Sequence, residues 1–531
     1  MNATVCRVAA IALTGLQGTR VLVEAAVSNQ LPGMAIIGLP DTALAEAKQR
    51  VRLATQQVGL ALSDRFIVVN LSPAALPKQG SGFDLAIALA ALAASGHLPT
   101  GRLAATAHIG ELSLDGELRR PPGLLSAVLA ARELGFGRVM VPAHGAREAS
   151  LVPGIEVVAA RDLRDAVAWH RGESGGCEIA HSVEGLPADS ASEAGVQAEG
   201  LQSLEHYGGE PDMFDVIGQP DAVDALMVAA AGRHHVSMMG PPGAGKTLLA
   251  TRLPSILPDL SLDESIVASS IASLGGAGLT ELVKRPPFES PHHTASKVSI
   301  IGGGDSVSVR PGAVTRSCFG VLFLDEAPEF PSAVLDALRQ PLESGEVEIH
   351  RARIRATLPA RVQLVIAANP CPCGNADSVD TVEPCRCTPS TRVRYRNRLS
   401  GPLTDRIDLR LNVRRVSTVL LGQIESFPRP TSAELRLRVV DARAAMADRL
   451  RNTPWSVNAD VPGHWLRDSF VALPKSVTTV LDTALSRGTL TLRGYDRTLK
   501  LAWSLSDLAG RGSPGREELA HALALRGGAT P

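Results

Sequence analysis

The octapeptide Gly240-Pro241-Pro242-Gly243-Ala244-Gly245-Lys246-Thr247 fits G-x-x-x-x-G-K-[ST] in full, and the apolar run Val321-Leu322-Phe323-Leu324 ends in Asp325 and Glu326. Glycines in such a loop let backbone N–H groups close around phosphates. The lysine reaches the β- and γ-phosphates, and the threonine hydroxyl joins a Mg²⁺ shell. A carboxylate at the end of a second apolar strand, here Asp325, can hold the same Mg²⁺, and its neighbour Glu326 can polarise an attacking water. The chemistry implied is hydrolysis of a nucleoside triphosphate. The alternative, a glycine turn and an unrelated acidic strand end, is disfavoured by the presence of both halves.

Several elements must position these groups. Residues 235–239 read as a short buried strand and 246–256 as a helix, which sets the phosphates at a helix N-terminus. Residues 362–368 form another β-branched run that ends at Asn369, where open α/β sheets bind ligands. Asn369 could orient the attacking water beside Glu326 or simply begin a turn before Pro370. Arg406 stands beside Asp405 and Asp408, which by itself reads as a surface salt-bridge cluster.

Around this module the chain divides by composition. Residues 1–171 alternate strand-like runs (21–27, 33–38, 66–70) with helix-like stretches (42–57, 84–94, 124–134), an α/β or α+β pattern. Residues 172–210 contain neither Lys nor Arg and are rich in Gly, Ser, Ala and Glu, which predicts an acidic flexible linker. Residues 211–413 carry the nucleotide motifs, and 430–531 hold helical patterns (432–451, 475–486, 494–509, 516–525) without clear strands. Lys and Arg number 53 against 54 Asp and Glu, so any polyanion must be met by local patches. No segment reads as a leader or a membrane span, and seven cysteines in uneven spacing fit a reducing compartment. A cytoplasmic protein is expected.

Four of those cysteines form two Cys-x-Cys pairs, Cys371/Cys373 and Cys385/Cys387. Four thiolates at that spacing could close around one structural Zn²⁺, although most zinc sites use Cys-x₂₋₄-Cys; four unligated loop thiols are the alternative. Residues 343–361 suit a hairpin, with Arg351, Arg353 and Arg355 on one face at period two. Such a face would suit a phosphate backbone, and a solvated basic surface is the plainer reading. A second run, Arg392, Arg394, Arg396 and Arg398, has Tyr395 as its only aromatic, favouring charge tracking over base stacking. His292 and His293 could bind metal, but a lone pair in a loop is more often structural.

The two nucleotide motifs, Asn369-Pro-Cys-Pro-Cys-Gly374, Leu399-Ser-Gly-Pro-Leu-Thr-Asp-Arg-Ile-Asp408 and Leu492-Arg-Gly-Tyr-Asp-Arg-Thr-Leu-Lys500 resemble the magnesium-chelatase-like AAA+ ATPases of the YifB/ComM family over nearly the whole chain. The resemblance implies a Lon-protease-like N-terminal domain, an AAA+ P-loop α/β module with a four-cysteine insertion at 371–387, and a C-terminal helical lid. It also implies a homo-hexameric ring using ATP and Mg²⁺, with Asn369 as sensor 1, Arg406 as an arginine finger reaching a neighbour's γ-phosphate, and Arg493 as sensor 2. Arg497 is a rival for that last role, one turn further along the same expected helix. Members of this family are thought to translocate on DNA and drive branch migration, which raises the functional reading of the arginine hairpin.

Within the N-terminal part, Ser81 occupies the place of the Lon nucleophile. A serine needs an adjacent base, and the lysine that serves in those proteases is replaced by Leu125 after Pro122-Gly123-Leu124. This departure favours an assembly or docking role over peptidase activity. The expectation is therefore an ATP-driven DNA-remodelling ring. A metal-chelatase motor subunit inserting Mg²⁺ or Co²⁺ into a tetrapyrrole, and a protein-remodelling chaperone or ATP-dependent protease, are the rivals.

Overall fold

Two β-sheets organise the chain, and each follows from the patterning of its strands. The computed structural model describes all residues except 1–4, 29, 39–40, 61, 63–65, 74–80, 174–176, 181–210, 305–308, 351–354, 377–383, 400, 417–428, 469–470 and 528–531. The first sheet is mixed and eight-stranded, in the order Glu178–Ala180, Glu156–Ala160, Arg138–Pro142, Ala107–His108, Cys6–Thr14, Gln17–Ser28, Phe66–Ser72, Gly33–Ile37. Helix Asp84–Ala94 packs on it with every residue from Asp84 to Ala93 buried, which explains a helix that is apolar all round. The three expected strands and three expected helices of this region are all present. One boundary moves: Glu178–Ala180 pairs antiparallel with the 156–160 strand, so ordered structure continues beyond residue 171 into the segment expected to be a linker. Residues 181–210 of that segment lie outside the described residues.

The second sheet is five-stranded and parallel throughout, in the order Phe288–Glu289, Val321–Leu324, Gln363–Ala368, Val236–Met239, Leu409–Asn412. Strands Val321–Leu324 and Gln363–Ala368 are buried at every position, which is why they read as continuous apolar runs and not as alternating ones. Phe323 is fully buried at their centre; truncating it would cost about 3–5 kcal/mol. Because Val236–Met239 lies beside Gln363–Ala368, which lies beside Val321–Leu324, the residues that follow these strands emerge together at one end of the sheet: Gly240, Asn369 and Asp325.

Helices Ser432–Leu450, Gly463–Asp468, Lys475–Ser486, Leu492–Leu508 and Arg516–Gly527 follow. Their apolar faces join the core of the parallel sheet, Leu435, Val439, Leu499 and Leu519 packing in one cluster with Leu226, Val236 and Leu409. The first of them starts on a reciprocal capping box between Thr431 and Glu434, which satisfies two otherwise orphaned N–H groups.

The N-terminal sheet meets the nucleotide-binding half at two places. Gly123 N donates to Ser273 O (2.9 Å), Leu125 N donates to Ser273 Oγ (3.3 Å), and Arg120 Nη2 donates to Ala277 O (2.5 Å). Buried Glu148 ties this dock together, ion-paired with Arg120 and accepting from Ser273 Oγ. At the second place Gly15, at φ +64, lies so close to the strand Arg355–Pro359 that an added Cβ would sit 3.1 Å from Leu358.

Candidate nucleotide site

Lys246, Thr247, Asp325, Glu326 and Asn369 line one cleft with residues 242–245 of the phosphate loop. Helix Lys246–Ile256 begins directly at the loop, with Gly245 at φ +91. Its free N–H groups and dipole therefore face the cleft. Lys246 Nζ donates to Gly240 O (2.7 Å), Pro241 O (3.0 Å) and Asn369 Oδ1 (3.0 Å). Burial lowers its pKa from the ordinary lysine value, partly offset by Asp325 and Glu326. Thr247 Oγ1 donates to Asp325 Oδ2 at 2.7 Å. Two hard oxygen donors thus stand together at the helix start, a set that fits Mg²⁺, which takes one or two protein oxygens and keeps phosphates and waters for the rest.

Glu326 has φ +49, left-handed backbone that costs a residue with a Cβ about 1 kcal/mol or more. This conformation turns its carboxyl into the cleft immediately after Asp325. His293 Nδ1 lies 3.7 Å from Glu326 Oε2. The histidine pair is therefore partly a neighbour of the acidic pair, a placement that sequence spacing could not reveal.

Two further residues brace the loop. Gln219 Nε2 donates to Ala244 O (2.6 Å) and Arg415 Nε donates to Pro242 O (3.0 Å). A second cleft, lined by Val216, Ile217, Leu248, Leu249, Arg415 and Val416, shares Gly243–Gly245 and Leu248 with the first. The sequence signal for it is position: Val216-Ile-Gly-Gln219 directly precedes the helix Pro220–Gly232.

The three expected arginines lie at the other end of the sheet. Arg406 is ion-paired with Glu343 of its own chain and its side chain is 11% exposed, so it is covered rather than extended toward solvent. Arg493 is well exposed, 3.8 Å from Asp405. Arg497 is ion-paired with Asp408, which precedes strand Leu409–Asn412 and accepts from His235 N at 2.9 Å. Because that strand runs parallel to Val236–Met239, Asp408 sits about 13 Å, a four-residue strand, from the phosphate-loop end. Arg497 is thereby removed as a sensor for its own chain's pocket. Asp408 also corrects the expectation of a surface cluster: it is buried, and although burial alone would raise its pKa, Arg497, His234 and His235 hold it well below 3.8.

Residues 343–361 do form a hairpin, Glu346–His350 with Arg355–Pro359. Arg351 and Arg353 lie outside the described residues. Arg355 is exposed opposite His350, 3.9 Å from Glu348. Its face also carries exposed Glu346 and Glu348, so among the described residues the hairpin surface is of mixed charge instead of a basic stripe. In helix Pro389–Arg396, Arg394 and Arg396 are exposed and Tyr395 is buried, out of reach for stacking. Arg398 is engaged by Glu329 (2.9 Å). Leu125 is 1% exposed and its backbone is committed to the dock with Ser273, so the position of the Lon-like base is an interface. The side chain of Ser81 lies outside the described residues. No helix among the described residues is long and apolar enough to cross a membrane.

Comparison with known proteins finds family matches over three stretches of the chain. Residues 212–420 match the family described as magnesium chelatase, subunit ChlI; residues 23–145 match subunit ChlI of Mg-chelatase, and 429–526 its C-terminal part. The protein Rv2897c of Mycobacterium tuberculosis is 45% identical over 98% of each chain. The competence protein ComM of Haemophilus influenzae is 38% identical over 96% of this chain and 95% of its own. YifB of Escherichia coli is 36% identical over 97% of this chain and 96% of its own. The chain belongs to the YifB/ComM family of magnesium-chelatase-like AAA+ proteins.

Proposed function

We propose that this chain is the subunit of an ATP-hydrolysing ring, a cytoplasmic homo-hexamer that remodels single-stranded or branched DNA as a branch-migration helicase in recombination or natural transformation. The observation that carries the ATPase reading is the cleft itself: Lys246, Thr247, Asp325, Glu326 and Asn369 converge on one helix N-terminus. Lys246 would leave its carbonyl partners for the β- and γ-phosphates. Thr247 and Asp325 would hold Mg²⁺, which when bound neutralises phosphate charge. Glu326 would accept the proton of the attacking water, and Asn369, already bonded to Lys246, would orient that water. The apolar cleft of Val216, Ile217, Leu248 and Val416 suits a planar base.

The ring reading is supported by where the arginines are. Arg406 and Arg493 lie at the opposite end of the sheet from the phosphate loop, so any guanidinium they lend to phosphoryl transfer would reach the pocket of a neighbouring copy. Arg406 would have to exchange Glu343 for that phosphate. The N-terminal Lon-like domain (1–171), with its dock on Ser273 and Ala277, reads as an assembly module, and the helices of 430–531 as the lid.

The DNA reading rests on Arg355, Arg394 and Arg396, which are exposed, and on the likeness to a protein named for competence. The chelatase reading is kept by the ChlI family matches. Steady-state ATPase activity with and without single-stranded and four-way-junction DNA separates them, with Glu326→Gln as control. Stimulation by DNA that is lost in the control is expected; turnover indifferent to DNA would overturn the helicase reading and return weight to the chelatase.

A further inference from the structure

Cys371, Cys373, Cys385 and Cys387 bring their four Sγ atoms within 4.8 Å of one another. Cys371 lies 3.3 Å from Cys373 and 3.6 Å from Cys385, and Cys373 lies 3.5 Å from Cys385. These spacings are far beyond an S–S bond of about 2.05 Å. They are close to the edge of about 3.8 Å of a sulfur tetrahedron drawn at about 2.3 Å around one Zn²⁺. Backbone N–H groups are also aimed at the sulfurs: those of Ala376 at Cys371, Asn375 at Cys373 and Cys373 at Cys387. Such bonds orient metal ligands from outside the coordination sphere. Gly374, at φ +81, makes the tight return that lets a one-residue spacer present two sulfurs to one point, its N donating to Cys371 O at 2.9 Å.

The cluster is set against the nucleotide cleft. Cys371 follows Asn369 by two residues, and a Cβ on Gly374 would lie 2.3 Å from Pro242 Cδ in the phosphate loop. On the far side, Cys387 O accepts from Arg392 Nε at 3.2 Å, and Thr388 caps the helix Pro389–Arg396. One ion here would join the end of the Asn369 strand, the outer wall of the phosphate loop and a helix that carries exposed arginines.

We propose that the four thiolates bind a single Zn²⁺, and that this ion holds Asn369 and Pro242 in register so that nucleotide affinity depends on the metal. An all-thiolate tetrahedral site selects a soft or borderline cation over Mg²⁺. The metal site stands by itself, whereas its link to nucleotide affinity rests on the ATPase reading above.

The test uses the full-length chain. Metal analysis should find one zinc per chain, and Co²⁺ reconstitution should give the sulfur-to-cobalt charge-transfer band of a thiolate site. Cys385→Ser should lose the metal, while Cys387→His, which keeps a ligand zinc accepts, should retain it. Stripping the wild-type protein with a chelator should weaken binding of a fluorescent ATP analogue severalfold, restored by Zn²⁺ and not by Mg²⁺. Only trace zinc, with no charge-transfer band after reconstitution, would overturn the site. Stoichiometric zinc whose removal leaves analogue affinity unchanged would overturn the coupling. Failure of the zinc-replete protein to bind the analogue would instead strike the ATPase reading, and leave the metal site standing on its stoichiometry.

Discussion

The two ends of the parallel sheet are built on opposite plans. At the carboxyl end the backbone opens: Glu326 sits in left-handed backbone, the Thr247 hydroxyl bonds to Asp325 across the cleft, and Lys246 bonds to carbonyls and to Asn369. At the amino end the charges are paired, buried Asp408 with Arg497 of the helix Leu492–Leu508, and Arg406 with Glu343 of the helix Arg339–Ser344. Arg493 stands open there. One end thus offers a loop whose neighbouring guanidinium, Arg415, is engaged by the Pro242 carbonyl, and the other offers guanidinium groups with no cradle. A heterologous, head-to-tail contact is the arrangement that would join them, and such contacts close into rings when the rotation allows.

The largest effects should come from removing either half. Lys246→Ala should abolish ATP turnover, measured by phosphate release, because the pocket loses its only lining cation among the described residues. Arg406→Ala should reduce turnover about a thousandfold, the lower end of what a finger supplied from a neighbour contributes. The comparison sharpens when the two inactive proteins are mixed: a subunit with intact Arg406 beside one with an intact cradle should recover activity. If mixed rings stay silent, Arg406 does not act across the interface.

Arg497→Ala should act on stability more than on chemistry, which would separate the two kinds of pair at the amino end. Removing the guanidinium leaves Asp408 buried and unpaired, a loss of about 3 kcal/mol visible as a lower Tm. The native carboxyl is held well below 3.8, so it contributes stability above that value and loses it as pH falls through the depressed native pKa. Removing Arg497 takes away the largest of the causes that lower the Asp408 pKa and leaves His234 and His235 to oppose burial, so the pKa rises and the mutant's deficit should be greatest near neutral pH and shrink in acid. A Tm gap independent of pH would mean that packing, not charge, is what Arg497 supplies.

These pairs also mark where the sequence stops being readable. Residues 240–247 and 321–326 are legible because phosphate chemistry demands contiguous residue types, and helix Lys475–Ser486 is legible to the residue because its apolar period runs between Pro474 and Gly488. Asp408 reads as one of several surface charges because its burial comes with Arg497 and His234, far away in sequence. His293 beside Glu326, and Gln219 beneath Ala244, are hidden for the same reason: tertiary contacts leave no local period. Strand Glu178–Ala180 escapes sequence reading because its neighbours look like linker, and only pairing with 156–160 makes it a strand. The hairpin is placed correctly by its alternation, yet reading the arginine strand alone leaves out the acidic residues that strand pairing sets on the same face.

That last point yields the smallest and most specific prediction. Arg355 shares the exposed hairpin face with Glu346 and Glu348, and Glu348 is 3.9 Å away. If this hairpin touches a nucleic acid backbone, Arg355→Ala should flatten the dependence of DNA affinity on salt by slightly under one counterion, since one phosphate contact is lost. Glu348→Gln should do the reverse, because it removes a competing carboxylate from the same guanidinium and a like charge from the approaching phosphate. Affinity for single-stranded DNA, titrated across a range of salt by fluorescence anisotropy, reads both slopes. Opposite shifts would put the hairpin on the DNA path. Unchanged slopes in both variants would take it off that path and leave the exposed Arg394 and Arg396 of helix Pro389–Arg396 as the grip to test next.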